Sequence, residues 1–323
     1  MNIRTVRGVT PHCQTGAMRY GIVILAQDRW PEARRKWTLA EELGFDHAWT
    51  YDHLSWRSLA DQPWGATVPT LTAAATATSR IRLGTFVASP NFRHPVPFAK
   101  ELASLDDISG GRFVLGVGSG GTGFDAFVLG QAELTARERH ARFAEFVERL
   151  DTLLRFEGDG SGAGPSGDIP TGGISFDGDW FEAVGARMVG EPAQSPRLPF
   201  VVAANGPKGL GLAARFGQGW VTIGAEGTMG DAWWRGVAGL AGRLDDAAQA
   251  AGRDPATIDR YLSLDSEDSY SLSSVGAFDD LVGRAGELGF TDVISHWPRD
   301  EGLYAGSEDV LVEVAARFDR PQV

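Results

Sequence analysis

Side chains that could move protons or bind anions follow several apolar stretches of this chain. His53 comes directly after the stretch at residues 45–51 (FDHAWTY) and Asp52. Histidine gives or takes a proton near neutral pH, so His53 could act as a general acid or base. The alternative is a structural histidine bonded to a loop. Asp52 could fix the tautomer of His53, or it could cap the turn that follows.

A second set of candidates lies in residues 80–121, where a helix joins two predicted strands. The polar residues of this unit follow the strands: Ser89, Asn91, Arg93 and His94 after the first, Ser119 and Thr122 after the second. Strands joined by a helix are parallel, so both sets lie at the edge where α/β proteins bind ligands. Gly118 and Gly120 would let a ligand approach the backbone, although a glycine run can also be a hinge.

A third set is built around a predicted helix start at Pro207. Asn205 and Gly206 end a strand there, and free amides with the helix dipole suit a phosphate, to which Lys208 would add charge. The alternative is that Pro207 is only a good first helical residue. His296 and Trp297 end the last predicted strand and could line a substrate pocket; the alternative is that they pack in the core or at the rim. The histidines show no close ligand pair, so we predict no metal.

Eight predicted strands alternate with eight predicted helices. The strands are residues 20–26, 45–51, 81–88, 112–118, 199–205, 219–224, 258–264 and 291–297, and the helices are residues 31–43, 67–78, 96–108, 137–156, a helix from 207, 231–251, 278–288 and 310–318. This alternation predicts a closed (β/α)₈ TIM barrel of α/β class rather than an open sheet. Residues 119–136 are predicted as a polar loop. Residues 157–198 are predicted as a long insertion over the site after the fourth helix, with a small hairpin in 175–189.

Composition limits the function classes. The formal net charge of -12 argues against nucleic acid or an anionic membrane as partner. No apolar run approaches the roughly 20 residues of a membrane span. The single cysteine, Cys13, indicates a cytoplasmic protein. We expect residues 1–17 to be an N-terminal extension without a signal-peptide core, Met18 being a possible true start, and residues 18–323 to form one domain.

Residues 79–121 (SRIRLGTFVASPNFRHPVPFAKELASLDDISGGRFVLGVGSGG) closely resemble the hallmark segment of the bacterial luciferase-like oxidoreductases. That superfamily contains FMN-dependent monooxygenases and enzymes that use the deazaflavin coenzyme F420. Residues 44–54 (GFDHAWTYDHL) and 198–222 (LPFVVAANGPKGLGLAARFGQGWVT) extend the resemblance along most of the chain. It implies a (β/α)₈ barrel with a flavin-type ring at its carboxyl-terminal mouth. Since dimers are common among such proteins, we expect a homodimer.

The resemblance favours F420 over FMN. Many F420-dependent members end strand two with Asp-His, as Asp52-His53 does, whereas FMN monooxygenases more often have Glu-His; Trp56 also resembles the F420 branch. The implied reaction is hydride transfer between C5 of the deazaflavin and a small organic substrate, with His53 as proton donor or acceptor. Asp52 would contact the cofactor ring and Trp56 would stack on substrate or cofactor. The alternatives are an FMN-dependent monooxygenase that uses O₂ and a non-catalytic flavin- or deazaflavin-binding protein.

The resemblance also implies a cis peptide bond between Phe86 and Val87 behind the cofactor ring, with Ser89 bonded to the cofactor. Departures from the family pattern narrow the range of substrates that we expect. F420-dependent glucose-6-phosphate dehydrogenases carry a glutamate where this chain has Gly121 and a phosphate-binding lysine where it has Glu226. An acidic Glu226 would repel a phosphate, so we predict that the substrate is not a sugar phosphate.

Overall fold

The computed structural model describes residues 17–121, 124–156, 172–190, 192–225, 227–266 and 270–318. The strands in these ranges are β1 (Arg19–Val23), β2 (His47–Thr50), β3 (Arg82–Thr85), β4 (Phe113–Val117), β5 (Ile174–Asp177), β6 (Glu182–Ala186), β7 (Phe200–Ala203), β8 (Gly219–Thr222), β9 (Asp259–Ser263) and β10 (Asp292–His296). The helices are α1 (Trp30–Leu43), α2 (Thr67–Ala77), α3 (Pro95–Ser109), α4 (Phe124–Val128), α5 (Ala136–Leu154), α6 (Pro207–Phe216), α7 (Gly230–Ala250), α8 (Val275–Glu287) and α9 (Glu308–Ala315).

Eight parallel strands close a barrel in the order β1-β10-β9-β8-β7-β4-β3-β2. The seam is the pairing of the first and last barrel strands, in which Gly21 lies opposite Ile294. Alternate residues of each strand face the barrel interior: Val23 belongs to the interior cluster, while Ile22 and Ile24 pack in the layer beneath the helices. The fold is therefore the predicted (β/α)₈ barrel.

A buried polar network occupies the amino-terminal end of the barrel, which we call the floor. Asp292 of β10 accepts hydrogen bonds from Arg19 Nε and Nη2 at 2.7 and 2.5 Å and lies 3.1 Å from His47 Nε2. Because Trp49 Nε1 donates to His47 Nδ1 at 2.6 Å, His47 Nε2 carries the proton donated to Asp292. Gly21 makes room for this ring, since a Cβ there would lie 2.1 Å from His47 Cε1.

The structure confirms the predicted alternation and differs from it in detail. Residues 119–136 are not wholly a loop, because they contain the short helix α4, which the buried carboxylate of Asp125 anchors to the amide of Leu54. The last helix begins two residues earlier than predicted, because Ser307 caps it by accepting from the amide of Asp309. The predicted ends of α1 and α3 are correct: Gly44 and Gly110 have φ of 84° and 66°.

The hairpin predicted within residues 175–189 is present as the antiparallel pair β5 and β6. It is held against α5, where Glu145 accepts hydrogen bonds from the amides of Trp180 and Phe181. The rest of the predicted insertion at 157–171, like the predicted extension at 1–16, lies outside the described residues. No helix in the described ranges has both the length and the apolar character that crossing a membrane requires.

Candidate functional site

Aromatic and apolar side chains cover the carboxyl end of the barrel interior and form a surface that we call the mouth. Each of them ends or follows a barrel strand: Trp56, Trp64, Phe86, Val87, Ala203 and Tyr304. Tyr51, buried just after β2, packs beneath them. Trp56 and Phe86, two residues of the predicted site, therefore share one surface. The peptide bond between Phe86 and Val87 is cis, as expected.

His53 lies at this mouth and is paired with a carboxylate. Its Nδ1 is 2.6 Å from Oδ2 of Asp125, which is buried at the start of α4. The other carboxylate oxygen accepts from the amide of Leu54 at 2.8 Å, so Asp125 holds both the ring and its backbone. The side chain of His53 is 17% exposed, and its Nε2 makes no hydrogen bond within the described ranges. An ionised Asp125 fixes the proton of a neutral ring on Nδ1 and leaves Nε2 as an acceptor.

Asp52 does not hold His53. It is fully buried, and its two oxygens accept from Nη2 and Nε of Arg93 at 2.7 and 3.2 Å. Arg93 also bonds Glu101 at 3.0 Å. The prediction that Asp52 fixes the tautomer is thus replaced by the contact with Asp125, because the Asp52 carboxylate is already engaged by a guanidinium.

The aromatic rings around His53 restrict its position. The centroids of His53 and Trp56 are 4.6 Å apart, and Tyr51 meets Trp56 edge-on at 4.9 Å. Trp64 Nε1 donates to the backbone carbonyl of His53 at 2.9 Å. Trp56 therefore lies beside His53 at the mouth.

The strand ends after β3 and β4 are joined through Asn91. Its amide donates to the carbonyl of Gly120 at 2.8 Å and its Oδ1 accepts from Arg142 at 2.5 Å, while Ser89 beside it is buried. Gly120 has φ of 86°, and a Cβ there would lie 2.4 Å from Asn91 Nδ2. A Cβ at Gly118 would lie 2.9 Å from Val87. These glycines are thus needed for close packing between the two loops.

A cavity of about 400 Å³ opens between α5 and the start of α6. It is lined by Ser119, Arg139, His140, Asn205, Gly206 and Lys208, together with further backbone and apolar atoms. Gly206 caps α6 without a side-chain hydrogen bond, so the helix presents free amides. Burial, with the charge of nearby Lys208, lowers the pKa of His140. The set of cationic groups and helix amides suits an anion.

Asn205 lines this cavity, whereas Arg142 of the neighbouring helix α5 lies outside the lining. The side chain of Asn205 is committed to β8, donating to the carbonyl of Gly224 and accepting from Thr222, so only its backbone is free for a ligand. Arg142 is buried and bonds the neutral oxygens of Asn91 and Gln131, and its Nε has no partner within the described chain. Burial and the charge of Arg139 lower the pKa of Arg142.

The two residues predicted at the end of the last strand have different positions. His296 is buried under the mouth, with Nδ1 2.8 Å from Asp265 and Nε2 2.7 Å from the hydroxyl of Tyr51. Trp297 faces the opposite side, packing beneath the helices and donating to Glu308. The prediction that Trp297 lines a substrate pocket is therefore wrong, since adjacent strand residues point to opposite faces.

Sequence reasoning missed Tyr51, Asp125, Asp265 and Tyr304. Strand alternation could have found Tyr51, because Trp49 two residues earlier also points into the barrel. Asp125, Asp265 and Tyr304 lie in irregular or short helical segments without a period that fixes their direction. In the described part of the chain no group of three or more metal-ligating side chains comes together.

A family model described as luciferase-like monooxygenase matches residues 6–265. The chain is 28% identical over 284 residues to an F420-dependent glucose-6-phosphate dehydrogenase of Amycolatopsis mediterranei, covering 80% of this chain and 77% of that protein. It is 32% identical over 251 residues to 4-hydroxyprotoasukamycin monooxygenase of Streptomyces nodosus, covering 75% and 59%. The solved structure of an F420-dependent secondary alcohol dehydrogenase has the same fold, with a TM-score of 0.74 at 18% identity, covering 94% of this chain and 98% of that one.

Proposed function

Because the chain belongs to the luciferase-like monooxygenase family and is an oxidoreductase, we propose that it uses coenzyme F420 to oxidise or reduce a small organic substrate at the mouth. The observation that carries this proposal is the pair of His53 and Asp125 beside Trp56. A proton-transferring imidazole, held by a buried carboxylate on a ligand-sized aromatic surface, is what hydride transfer to or from an alcohol or a C=C or C=N bond requires.

The residues present fit a cofactor with a flat ring and an anionic tail. The tail would be held by the α6 amides at Gly206 together with Lys208 and Arg139, in a cavity that no carboxylate of the described residues lines. The ring would lie by Val87 and Ser119 at the ends of β3 and β4. When bound, F420 supplies a hydride donor or acceptor at C5 of the deazaflavin.

His53 performs the proton transfer in this proposal. With Nδ1–H bonded to Asp125, the free Nε2 takes the proton of a substrate hydroxyl during oxidation and returns a proton during reduction. Trp56 and the buried Tyr51 exclude water from one side of the His53 imidazole. Asp52 contributes by anchoring Arg93, which keeps the loop after β3 against the loop after β2.

The finer features of the proposal rest on the sequence. We propose a substrate other than a sugar phosphate, since Gly121 lacks the carboxylate and Glu226 the positive charge found in the glucose-6-phosphate dehydrogenases; Glu226 lies outside the described residues. We also propose one domain over residues 18–323, with the insertion at 157–198 near the site, that acts in the cytoplasm as a homodimer. Light scattering during gel filtration tests the dimer.

The second candidate is an FMN-dependent monooxygenase that uses O₂, which the similarity to 4-hydroxyprotoasukamycin monooxygenase supports. A non-catalytic cofactor carrier is less well supported, because a carrier has no use for a histidine with a free Nε2 at the mouth.

Cofactor titration separates these candidates. The purified protein is titrated with F420 and with FMN in parallel, following cofactor fluorescence. Micromolar or tighter binding of F420 with weaker binding of FMN supports the proposal. The reverse preference, with O₂ consumption by the reduced flavin complex, establishes the monooxygenase. Binding of neither cofactor refutes both.

A further inference from the structure

A second histidine network lies under the mouth, and of its members only Tyr51 contacts the surroundings of His53. It runs from Asp265 through His296 and Tyr51 to the hydroxyl of Tyr304, and we call it the Tyr304 relay. Its distances are 2.8 Å from Asp265 Oδ2 to His296 Nδ1, 2.7 Å from His296 Nε2 to Tyr51 Oη, and 3.1 Å from Tyr51 Oη to Tyr304 Oη. The side chains of Asp265, His296 and Tyr51 are buried, whereas Tyr304 is partly exposed.

The direction of the first hydrogen bond follows from the surroundings of Asp265. Its Oδ1 accepts from the amide of Ser271 at 2.8 Å, and its Oδ2 accepts from the amide of His296 at 2.6 Å. Both oxygens already accept from backbone donors, and an ionised carboxylate can only accept. His296 Nδ1 must therefore carry the proton that it shares with Asp265.

The remaining directions follow in turn. A neutral His296 with its proton on Nδ1 has only a lone pair on Nε2, so Tyr51 donates to it. The single phenolic proton of Tyr51 is then used, and Tyr51 must accept from Tyr304. Burial raises the pKa of Tyr51 well above its ordinary value and that of Tyr304 to about 12, so both phenols keep their protons at neutral pH.

Tyr304 is held in place at the mouth. Its ring stacks on His296 with centroids 3.8 Å apart and an angle of 12°, and its carbonyl accepts from the amide of Arg299 at 2.9 Å. Since its one proton points to Tyr51, the part of the hydroxyl that faces the mouth offers lone pairs.

We infer that the Tyr304 relay makes the Tyr304 hydroxyl a hydrogen-bond acceptor at the mouth, so that the site takes a substrate with a hydroxyl or amino group that donates there, in addition to the group that gives its proton to His53, in preference to a substrate with a carbonyl or ether oxygen at that place. This inference rests on the proposed function for its substrate, while the direction of the relay stands on the protein alone. Tyr304 would bind the substrate directly, and Asp265, His296 and Tyr51 are positioning residues.

The tautomer of His296 tests the direction. Two-bond ¹⁵N–¹H spectra of ¹⁵N-histidine-labelled protein at pH 7.5, assigned with His296→Gln, should show the Nδ1–H form with an unprotonated Nε2. Asp265→Asn should move the proton to Nε2, because an amide can donate to Nδ1. An Nε2–H ring or a doubly protonated ring in the wild type would overturn the inference.

Ligand-observed NMR tests the preference, with cyclohexanol and methoxycyclohexane as probes on the protein loaded with F420 and on the protein alone. Both measurements use His53→Ala as the background, because the free Nε2 of His53 is a second acceptor at the mouth. In this background the protein should bind the alcohol about fivefold more tightly than the ether, the value of one ordinary hydrogen bond. Adding Tyr304→Phe should abolish the difference, and adding Tyr20→Phe, whose ring packs outside the barrel against Phe318, should preserve it. Equal binding of the two probes, or no binding of the alcohol, would overturn the inference. Failure of F420 to bind, with the tautomer and the alcohol preference intact, would refute only the proposed function.

Discussion

The imidazole of His53 and the carboxylate of Asp125 are 72 positions apart in the sequence and 2.6 Å apart in the structure. His53 follows β2 and Asp125 follows β4, so α4 reaches across the end of β3, which lies between those strands in the barrel. The carboxylate of Asp125 therefore sets the tautomer of His53 and the path of the loop that carries His53.

Replacing His53 by Ala should cut turnover by about 10²-fold or more and leave cofactor affinity within a few-fold, because the ring transfers a proton and does not hold the cofactor tail. Steady-state kinetics and a fluorescence titration on the same preparation measure both quantities. Unchanged turnover would remove His53 from the mechanism.

Replacing Asp125 by Asn should lower turnover by about tenfold or more, since the amide can donate to Nδ1 and so favours the tautomer whose Nε2 carries the proton. The pH dependence of kcat should change as well, which a loss of loop packing alone would not cause. The control is Asp61→Asn, which changes an exposed carboxylate on the loop that carries His53 and should leave the pH profile as it is. An identical profile in Asp125→Asn and the wild type would contradict the positioning role.

Lys208→Ala and Arg139→Ala should each weaken F420 binding by about tenfold. This is the effect expected for a lost charged hydrogen bond to an anion. Arg137→Ala is the control, since this exposed arginine lies on the same helix outside the lining of the cavity. Fluorescence titrations at low and high salt measure the effect, which salt should reduce. Equal affinities in Lys208→Ala and Arg137→Ala would show that the tail binds elsewhere.

Replacing Gly120 by Ala should destabilise the fold by about 2–4 kcal/mol, because the new methyl displaces Asn91 and deprives Arg142 of its bond. Gly121→Ala is a matched control: its φ is also positive, but a Cβ there meets nothing within 4 Å. Gly121→Ala should lower the free energy of unfolding by about 1 kcal/mol. Denaturant unfolding of the two variants gives the comparison, and equal losses would mean that Asn91 gives way freely.

From the polar network of the floor we predict that the protein loses stability in acid. Burial opposes ionisation of Asp292, but the hydrogen bonds from His47 and Arg19 outweigh it and hold the pKa of Asp292 below its ordinary value. The stability that this carboxylate contributes is therefore present above the unfolded-state pKa and is lost as pH falls through the lower folded pKa. Melting temperatures of the wild type should drop steeply once the pH falls below about 4, the ordinary pKa of aspartate. Asp292→Asn should be about 3 kcal/mol less stable at pH 7 and show a shallower drop. Asp231→Asn, at an exposed ion pair, should follow the wild type.

The fold was predictable because strand and helix periods, with Gly44 and Gly110 as helix ends, repeat along the chain. Strand alternation also explains why the predicted position of Trp297 in a substrate pocket was wrong. Ile294 faces the barrel interior, so His296 faces the same way and Trp297 does not. Asp125 was not predictable from the sequence. Its partner lies beyond an intervening strand, and a short helix in a polar loop leaves no period that fixes the direction of its side chain.

The floor network also sets an order for biosynthesis. Asp292 is the carboxylate that joins Arg19 and His47, and it lies 273 residues after Arg19. While the ribosome is still extending the chain toward β10, β1 has no strand on one edge, and His47 has no carboxylate to accept its hydrogen bond. The barrel can close only after nearly all of it has left the exit tunnel, so the nascent chain carries an open β-edge for most of its synthesis. Chaperones that shield such edges should therefore matter more for this protein than its folded surface suggests.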